Sequence, residues 1–79
     1  MMDRVRIAEL MNQMLESQGK ARPRSDTQLR EIAFRSLDFS ELALRVEIEI
    51  GRELNFDAPA LRAIETVGDV LDFLEVASA

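Results

Sequence analysis

Apolar residues recur every three or four positions in three stretches of this chain, and that spacing restricts it to a small helical fold. The first stretch predicts a helix over residues 3–17, which Asp3 can cap. The second predicts a helix over residues 36–51, which Gly51 can end. The third predicts a last helix that begins at Thr66, whose spacing to an aspartate three positions later is that of a capping box.

The segments between these helices are less regular. Residues 18–35 contain a glycine, a proline and several basic residues, and a connection of this length is unusual in a compact domain. Within it, the pattern Ser25-x-x-Gln28 predicts one short helical turn capped by the serine. Asp57-Ala58-Pro59 predicts a short helix, because proline is tolerated in a first turn. We therefore predict an all-α fold for residues 1–79, a single-domain small four-helix bundle with three main helices and one short helix.

The helix predicted over residues 36–51 carries two apolar stripes. At 100° per residue, the wider stripe forms the face expected to enter the core. Its members are Phe39, Leu42, Ala43, Val46 and Ile50. The second stripe lies nearly opposite and consists of Leu37, Leu44 and Ile48, flanked by Ser40, Glu41 and Glu47. A fully buried helix explains both stripes, and so does an exposed apolar patch with an acidic rim, which is typical of a docking site.

The distribution of charge argues against a nucleic-acid partner. The chain has a net charge of −5, and residues 36–79 contain three basic and ten acidic residues. Phosphate backbones are repelled by such a surface, whereas basic partner proteins are attracted and oriented by it. We expect no nucleic-acid binding and a basic surface on the partner proteins.

The inventory of side chains argues against an enzyme and a metal site. The chain has no His, which is the commonest general base and metal ligand, and no Cys to act as nucleophile or zinc ligand. Carboxylate pairs such as Asp38/Glu41 lie at helical spacing, which is typical of a solvated face. No run of 18 apolar residues occurs, so no membrane span is predicted, and no signal-peptide core is seen. We expect a cytoplasmic monomer without catalytic residues.

The residues around one serine resemble the motif of the acyl carrier protein family. From Leu29 to Asp38 the sequence reads LREIAFRSLD, with Ser36 at the start of the acidic helix. In that family, an acidic-Leu-Gly-x-Asp-Ser-Leu-Asp run leads into the second helix, and its serine carries 4′-phosphopantetheine. The resemblance extends over residues 3–76 and includes Thr66-Val67-Gly68-Asp69 at the last helix. By position alone, Ser36 is equally well explained as a helix N-cap.

The resemblance implies a carrier function and its partners. Ser36 would receive the arm from coenzyme A through a phosphopantetheinyl transferase, and the thiol at the end of the arm would hold acyl groups as thioesters. Acyl-loading and acyl-using enzymes of fatty-acid, lipid or polyketide biosynthesis would then bind the second helix. The core face of that helix and the short third helix would line a cavity for the acyl chain. The partner-binding positions implied are Arg35, Leu37, Glu41, Leu44, Glu47 and Ile48.

Four positions depart from the family motif. Arg35 replaces the aspartate that the resemblance associates with the transferase and its magnesium ion. Ala33 replaces the glycine, and the bulky Phe34 follows it. Ile48 also stands where an acidic residue is common. These departures suggest a specialised carrier with its own set of partners.

Two other functions fit the same sequence. A carrier of aminoacyl or peptidyl groups shares the fold and the serine, although such carriers more often have Gly-Gly-x-Ser at the site and a less acidic second helix. An unmodified helical docking protein would keep the fold without the arm, and Arg35 is the reason to consider it. The sequence identifies neither the acyl group nor the pathway.

Overall fold

The computed structural model describes residues 2–79 as four α-helices and one 3₁₀ helix. The α-helices are α1 (Arg4–Ser17), α2 (Ser36–Ile50), α3 (Ala58–Arg62) and α4 (Val67–Ala77), and the 3₁₀ helix spans Leu29–Ile32. No β-strand forms within the described residues, where Gln28 and Thr66 make one isolated antiparallel bridge. The predicted all-α bundle with three main helices and one short helix is confirmed.

The predicted ends of the helices follow from local chemistry. The carboxylate of Asp3 accepts a hydrogen bond from the Val5 N–H at 3.1 Å and caps α1. Asp57 caps α3 in the same way, by accepting from the Ala60 N–H at 3.2 Å. Gly51 ends α2 with a left-handed φ of 73°, a conformation that glycine adopts without steric cost.

The short turn in the long connection differs from the prediction. It is the 3₁₀ helix, and its cap residue Gln28 makes no side-chain hydrogen bond. The predicted cap, Ser25, is used differently: its carbonyl oxygen accepts a hydrogen bond from the Gly68 N–H at 2.8 Å. The Leu29 N–H likewise donates to the Glu65 carbonyl at 2.9 Å. Pairing with the start of α4 therefore satisfies the backbone of this connection, which a local pattern could not reveal.

The hydrophobic core lies between α1, the inner face of α2 and α4. Leu42 and Val46 of α2 have no exposed surface, and Ala43 is buried beside them, as predicted. The buried residues of the other two helices are Ile7, Leu10, Met11, Met14, Leu15, Val67, Val70, Leu71 and Leu74. Helix α3 contains no buried residue and lies at the edge of this core.

No helix among residues 2–79 combines the length and the apolar composition needed to cross a membrane.

Candidate functional site

Ser36 is the first residue of α2, and its side chain is exposed. Among residues 2–79, no group makes a hydrogen bond with its hydroxyl. The serine is therefore not the N-cap of the helix, because Arg35 occupies that position. The hydroxyl lies at the junction of a loop and a helix, where a second molecule can approach it.

The start of α2 is only partly capped. The Asp38 carboxylate accepts a hydrogen bond from the backbone N–H of Arg35 at 2.9 Å. The reciprocal bond, from the backbone N–H of Asp38 to the side chain of Arg35, is missing because a guanidinium group carries donors and no acceptor. The first-turn N–H groups of α2 consequently have no side-chain acceptor at the cap position, and they remain available to an anion.

The backbone before the serine adopts an unusual conformation. Ala33 has φ 51° and ψ 38°, and it is the one described non-glycine residue with positive φ. A residue with a Cβ pays roughly 1–2 kcal/mol in this left-handed region. A glycine would adopt this conformation without that cost. The conformation turns the chain from the 3₁₀ helix towards α2, whose first residue is Ser36.

An apolar cleft of about 370 Å³ opens beside the serine. Its lining residues come from the 3₁₀ helix, the start of α2 and the α3 region, and they are Leu29, Phe34, Arg35, Ser36, Phe39, Ser40, Leu61 and Ile64. Of these, Phe34 is buried, whereas Leu61 is exposed. Apolar walls next to an accessible hydroxyl suit a molecule that is attached at Ser36 and has an apolar portion.

Carboxylates pair with five of the nine arginines, but among the described residues none pairs with Arg35, which lines this cleft. Arg4 pairs with Asp72, and Arg6 pairs with Glu49 through a hydrogen bond of 2.9 Å from its Nε. These contacts join α1 to α4 and to α2. Among residues 2–79, the arginines whose side chains have neither a carboxylate partner nor any other hydrogen-bond acceptor are Arg30, Arg35 and Arg62.

The groups with a shifted pKa are Arg6, Glu49 and Asp69, which lie away from Ser36 at structural hydrogen bonds. Hydrogen bonds from Arg6 lower the pKa of the Glu49 carboxyl from its ordinary value of 4.5, and they raise the pKa of Arg6. The backbone N–H groups of Glu65 and Thr66 donate to Asp69 and lower its pKa from the ordinary value of 3.8. These shifts mark structural interactions at the helix contacts.

The outer stripe of α2 is exposed, which decides between the two explanations that the sequence left open. Leu37 is 83% exposed, Leu44 54% and Ile48 72%. Glu41 lies beside them, and its carboxylate forms an i,i+4 pair with Arg45 at 3.2 Å. An apolar stripe with an acidic neighbour is a surface that a partner protein can bury.

Glu47 has a different environment from Glu41. Its carboxylate accepts a hydrogen bond from the backbone N–H of Leu54 at 2.7 Å, and its side chain is half-buried. Leu54 is buried in the core. Glu47 therefore fixes the loop after α2, a structural task that its acidic character and helical position did not indicate.

Sequence reasoning missed an aromatic cluster. Phe39, Phe56 and Phe73 pack with ring centroids 5.3–5.8 Å apart. Phe56 and Phe73 also line an open groove of about 770 Å³ between α3 and α4. The three rings come from distant parts of the chain, so no local pattern connects them.

Within the described residues, no group of three or more potential metal-ligating side chains comes together. No protein-family model matches the chain, and no curated protein matches its sequence.

Proposed function

We propose that this protein is an acyl carrier, which holds acyl groups as thioesters on a 4′-phosphopantetheine arm attached to Ser36. The observation that carries the proposal is an exposed serine hydroxyl, without a hydrogen-bond partner among the described residues, at the first turn of α2 beside an apolar cleft. The resemblance of residues 29–38 to the acyl carrier motif supports the same assignment.

The residues around the serine fit the arm. The phosphodiester would lie at the start of α2, where unpaired N–H groups and the helix dipole favour an anion. The cleft offers apolar contacts to the part of the arm beyond the phosphodiester. When bound, the arm supplies a thiol, which this Cys-free chain lacks.

Attachment needs a separate enzyme. In the step, the Ser36 oxygen forms a bond to the phosphorus of the coenzyme A pyrophosphate that bears the pantetheine. The bond from that phosphorus to the bridging oxygen breaks, 3′,5′-ADP leaves, and the hydroxyl proton passes to a base. Ser36 has no such base within hydrogen-bonding distance among the described residues, so the phosphopantetheinyl transferase must provide it.

Partner enzymes would bind the outer stripe of α2. Leu37, Leu44 and Ile48 supply apolar contacts that lose water on binding, and Glu41 attracts a basic partner. The half-buried Glu47 contributes mainly by holding the fold.

Intact mass spectrometry tests the attachment site. Protein co-expressed with a broad-specificity transferase should gain the mass of one arm, and Ser36→Ala should gain none. Ser40→Ala is a matched control, because Ser40 is exposed and lines the same cleft. An arm on the Ser36→Ala protein, or no arm on the unaltered chain, would overturn the proposal. The second result would favour an unmodified docking protein, and identification of the loaded thioester separates an acyl carrier from an aminoacyl or peptidyl carrier.

Two leucines of α2 test the docking surface. Leu42→Ala removes a fully buried side chain and should cost about 2–5 kcal/mol of unfolding free energy. Leu44→Ala should change that free energy by less than about 0.5 kcal/mol, but it should slow acyl transfer from the cognate enzyme. Denaturant unfolding and a transfer assay measure the two effects. Normal transfer by the Leu44 variant would remove this leucine from the docking surface.

A further inference from the structure

Arg35 directly precedes Ser36 in the chain, and its positive charge has no carboxylate partner among the described residues. Its side chain is exposed, and it lines the same cleft as the serine. Arginines elsewhere in the fold, such as Arg4 and Arg6, pair with carboxylates of other helices. The guanidinium of Arg35 is therefore available to an anion at the mouth of the cleft.

The carboxylate closest in sequence is already occupied. One oxygen of Asp38 accepts a hydrogen bond from the backbone N–H of Arg35 at 2.9 Å. The other accepts from the side-chain amide of Gln18 at 3.2 Å, which ties the start of α2 to the end of α1. Both bonds orient Asp38 toward the backbone and α1, so the charge of the Arg35 side chain is left for another group.

The guanidinium of Arg35 is chemically suited to bind a phosphate group. A planar guanidinium can donate two parallel hydrogen bonds to phosphate oxygens, and such charge-assisted bonds are stronger than neutral ones. Leu29, Phe34 and Ile64 form the apolar part of the cleft wall beside the exposed guanidinium. An anion attached to Ser36 would lie within one residue of this donor.

We propose that Arg35 is a positioning residue whose guanidinium pairs with the phosphodiester of an arm attached to Ser36 and holds the root of the arm against the apolar cleft. This inference rests on the proposed carrier function. It assigns to Arg35 a task that an acidic residue at the same position could not perform, because a carboxylate would repel the phosphodiester. The arm of this protein is then directed along the cleft until a partner enzyme displaces it.

NMR spectroscopy of the full chain tests the contact directly. The Nε–H resonance of Arg35, assigned by its loss in Arg35→Gln, should shift when the apo protein is converted to the holo form. The Nε–H resonance of Arg62 is the internal control, because Arg62 also lacks a carboxylate partner among residues 2–79 but does not line the cleft. High salt should reverse much of the Arg35 shift.

A second measurement follows the arm itself. With a fluorophore attached to the thiol of the holo protein, Arg35→Gln should lower the fluorescence anisotropy, whereas Arg62→Gln should leave it unchanged. Arg35→Lys should have an intermediate effect, because lysine keeps the charge but loses the bidentate geometry. Circular dichroism checks that each variant is folded.

The outcomes separate the two proposals. If Ser36 accepts no arm, both the carrier function and the role of Arg35 are wrong. If the holo protein forms but the Arg35 resonance and the anisotropy of Arg35→Gln do not change, the carrier function stands and only the role of Arg35 is overturned.

Discussion

Helices α2 and α4 begin in different ways. At the start of α4, the Thr66 hydroxyl accepts from the Asp69 N–H at 3.1 Å, and the Asp69 carboxylate accepts from the Thr66 N–H at 3.0 Å. At the start of α2, the Asp38 carboxylate accepts from the backbone N–H of Arg35, but the arginine side chain has no acceptor for the Asp38 N–H. One helix start is fully capped and the other is half capped.

The start of α2 therefore contributes less to stability than the start of α4. The capping box of α4 is stabilising, and its backbone also pairs with the long connection at Gly68 and Val67. The start of α2 combines a missing cap with the left-handed Ala33 and the unpaired side chain of Arg35. Departures from local rules are expected at functional sites, and here they surround Ser36.

The largest effect on this comparison is expected from removing the complete cap. Thr66→Ala should lower the unfolding free energy by about 1–2 kcal/mol, because the Asp69 N–H loses its acceptor. Arg35→Ala should change it by less than about 0.5 kcal/mol, since no cap bond is lost. Urea denaturation of both variants measures the difference. Equal losses would show that the two helix starts contribute alike.

Installing the missing cap should have a smaller effect of opposite sign. Arg35→Asp places an acceptor at the N-cap of α2, and we expect a gain of about 0.5–1 kcal/mol. The same variant should be modified faster by a general transferase, because the position then matches the acyl carrier motif and no longer repels a basic partner. Melting temperature and initial rates measured by intact mass check the two effects, and a rate equal to or below that of the unaltered chain would contradict the second.

Relieving the backbone at the serine junction should give a still smaller gain. Ala33→Gly removes a left-handed penalty of roughly 1–2 kcal/mol but increases the entropy of the unfolded chain by about 0.5–1 kcal/mol. We expect a net stabilisation of about 0.5 kcal/mol in urea denaturation. Ala63→Gly is a matched control, because Ala63 has an ordinary φ of −79° and the glycine should destabilise there.

The smallest effect at neutral pH is expected from Asp69→Asn, since an amide oxygen can still accept from the Glu65 and Thr66 N–H groups. The variant should differ mainly in its pH dependence. The pKa of Asp69 is lowered in the fold, so its ionised form contributes stability above the ordinary pKa of 3.8, and this contribution is lost as the pH falls through the lower folded value. The difference in unfolding free energy between Asp69→Asn and the unaltered chain should therefore be smaller at about pH 2.5 than at about pH 7. A difference that persists in acid would assign the role of Asp69 to uncharged hydrogen bonding.

The sequence was sufficient to predict the helices, because their signals are local. The spacing of apolar residues located α1, α2 and α4, and Asp3, Gly51 and Thr66 marked three of their ends. The inner face of α2 was also predicted, since helical geometry alone separates it from the outer stripe. The motif around Ser36 was visible in the sequence for the same reason: its residues are contiguous.

Several features depended on contacts between distant residues. The exposure of Leu44 and Ile48 followed only when α1 had covered the opposite face of α2. Glu41 and Glu47 look equivalent in the sequence, but only Glu47 accepts a hydrogen bond from the backbone N–H of the buried Leu54. The prediction of a capped turn at Ser25 was wrong, because its carbonyl is paired across the fold.

The sequence by itself determined which segments become helices and that a serine begins the second of them. The tertiary structure decided that Arg35, and not Ser36, takes the N-cap position, and that the arginine remains without a carboxylate while Arg4 and Arg6 are paired. The physical reason is the range of the interactions. Helix propensity and capping act over about four residues, whereas the pairing of a charge depends on which distant side chains the fold brings within reach.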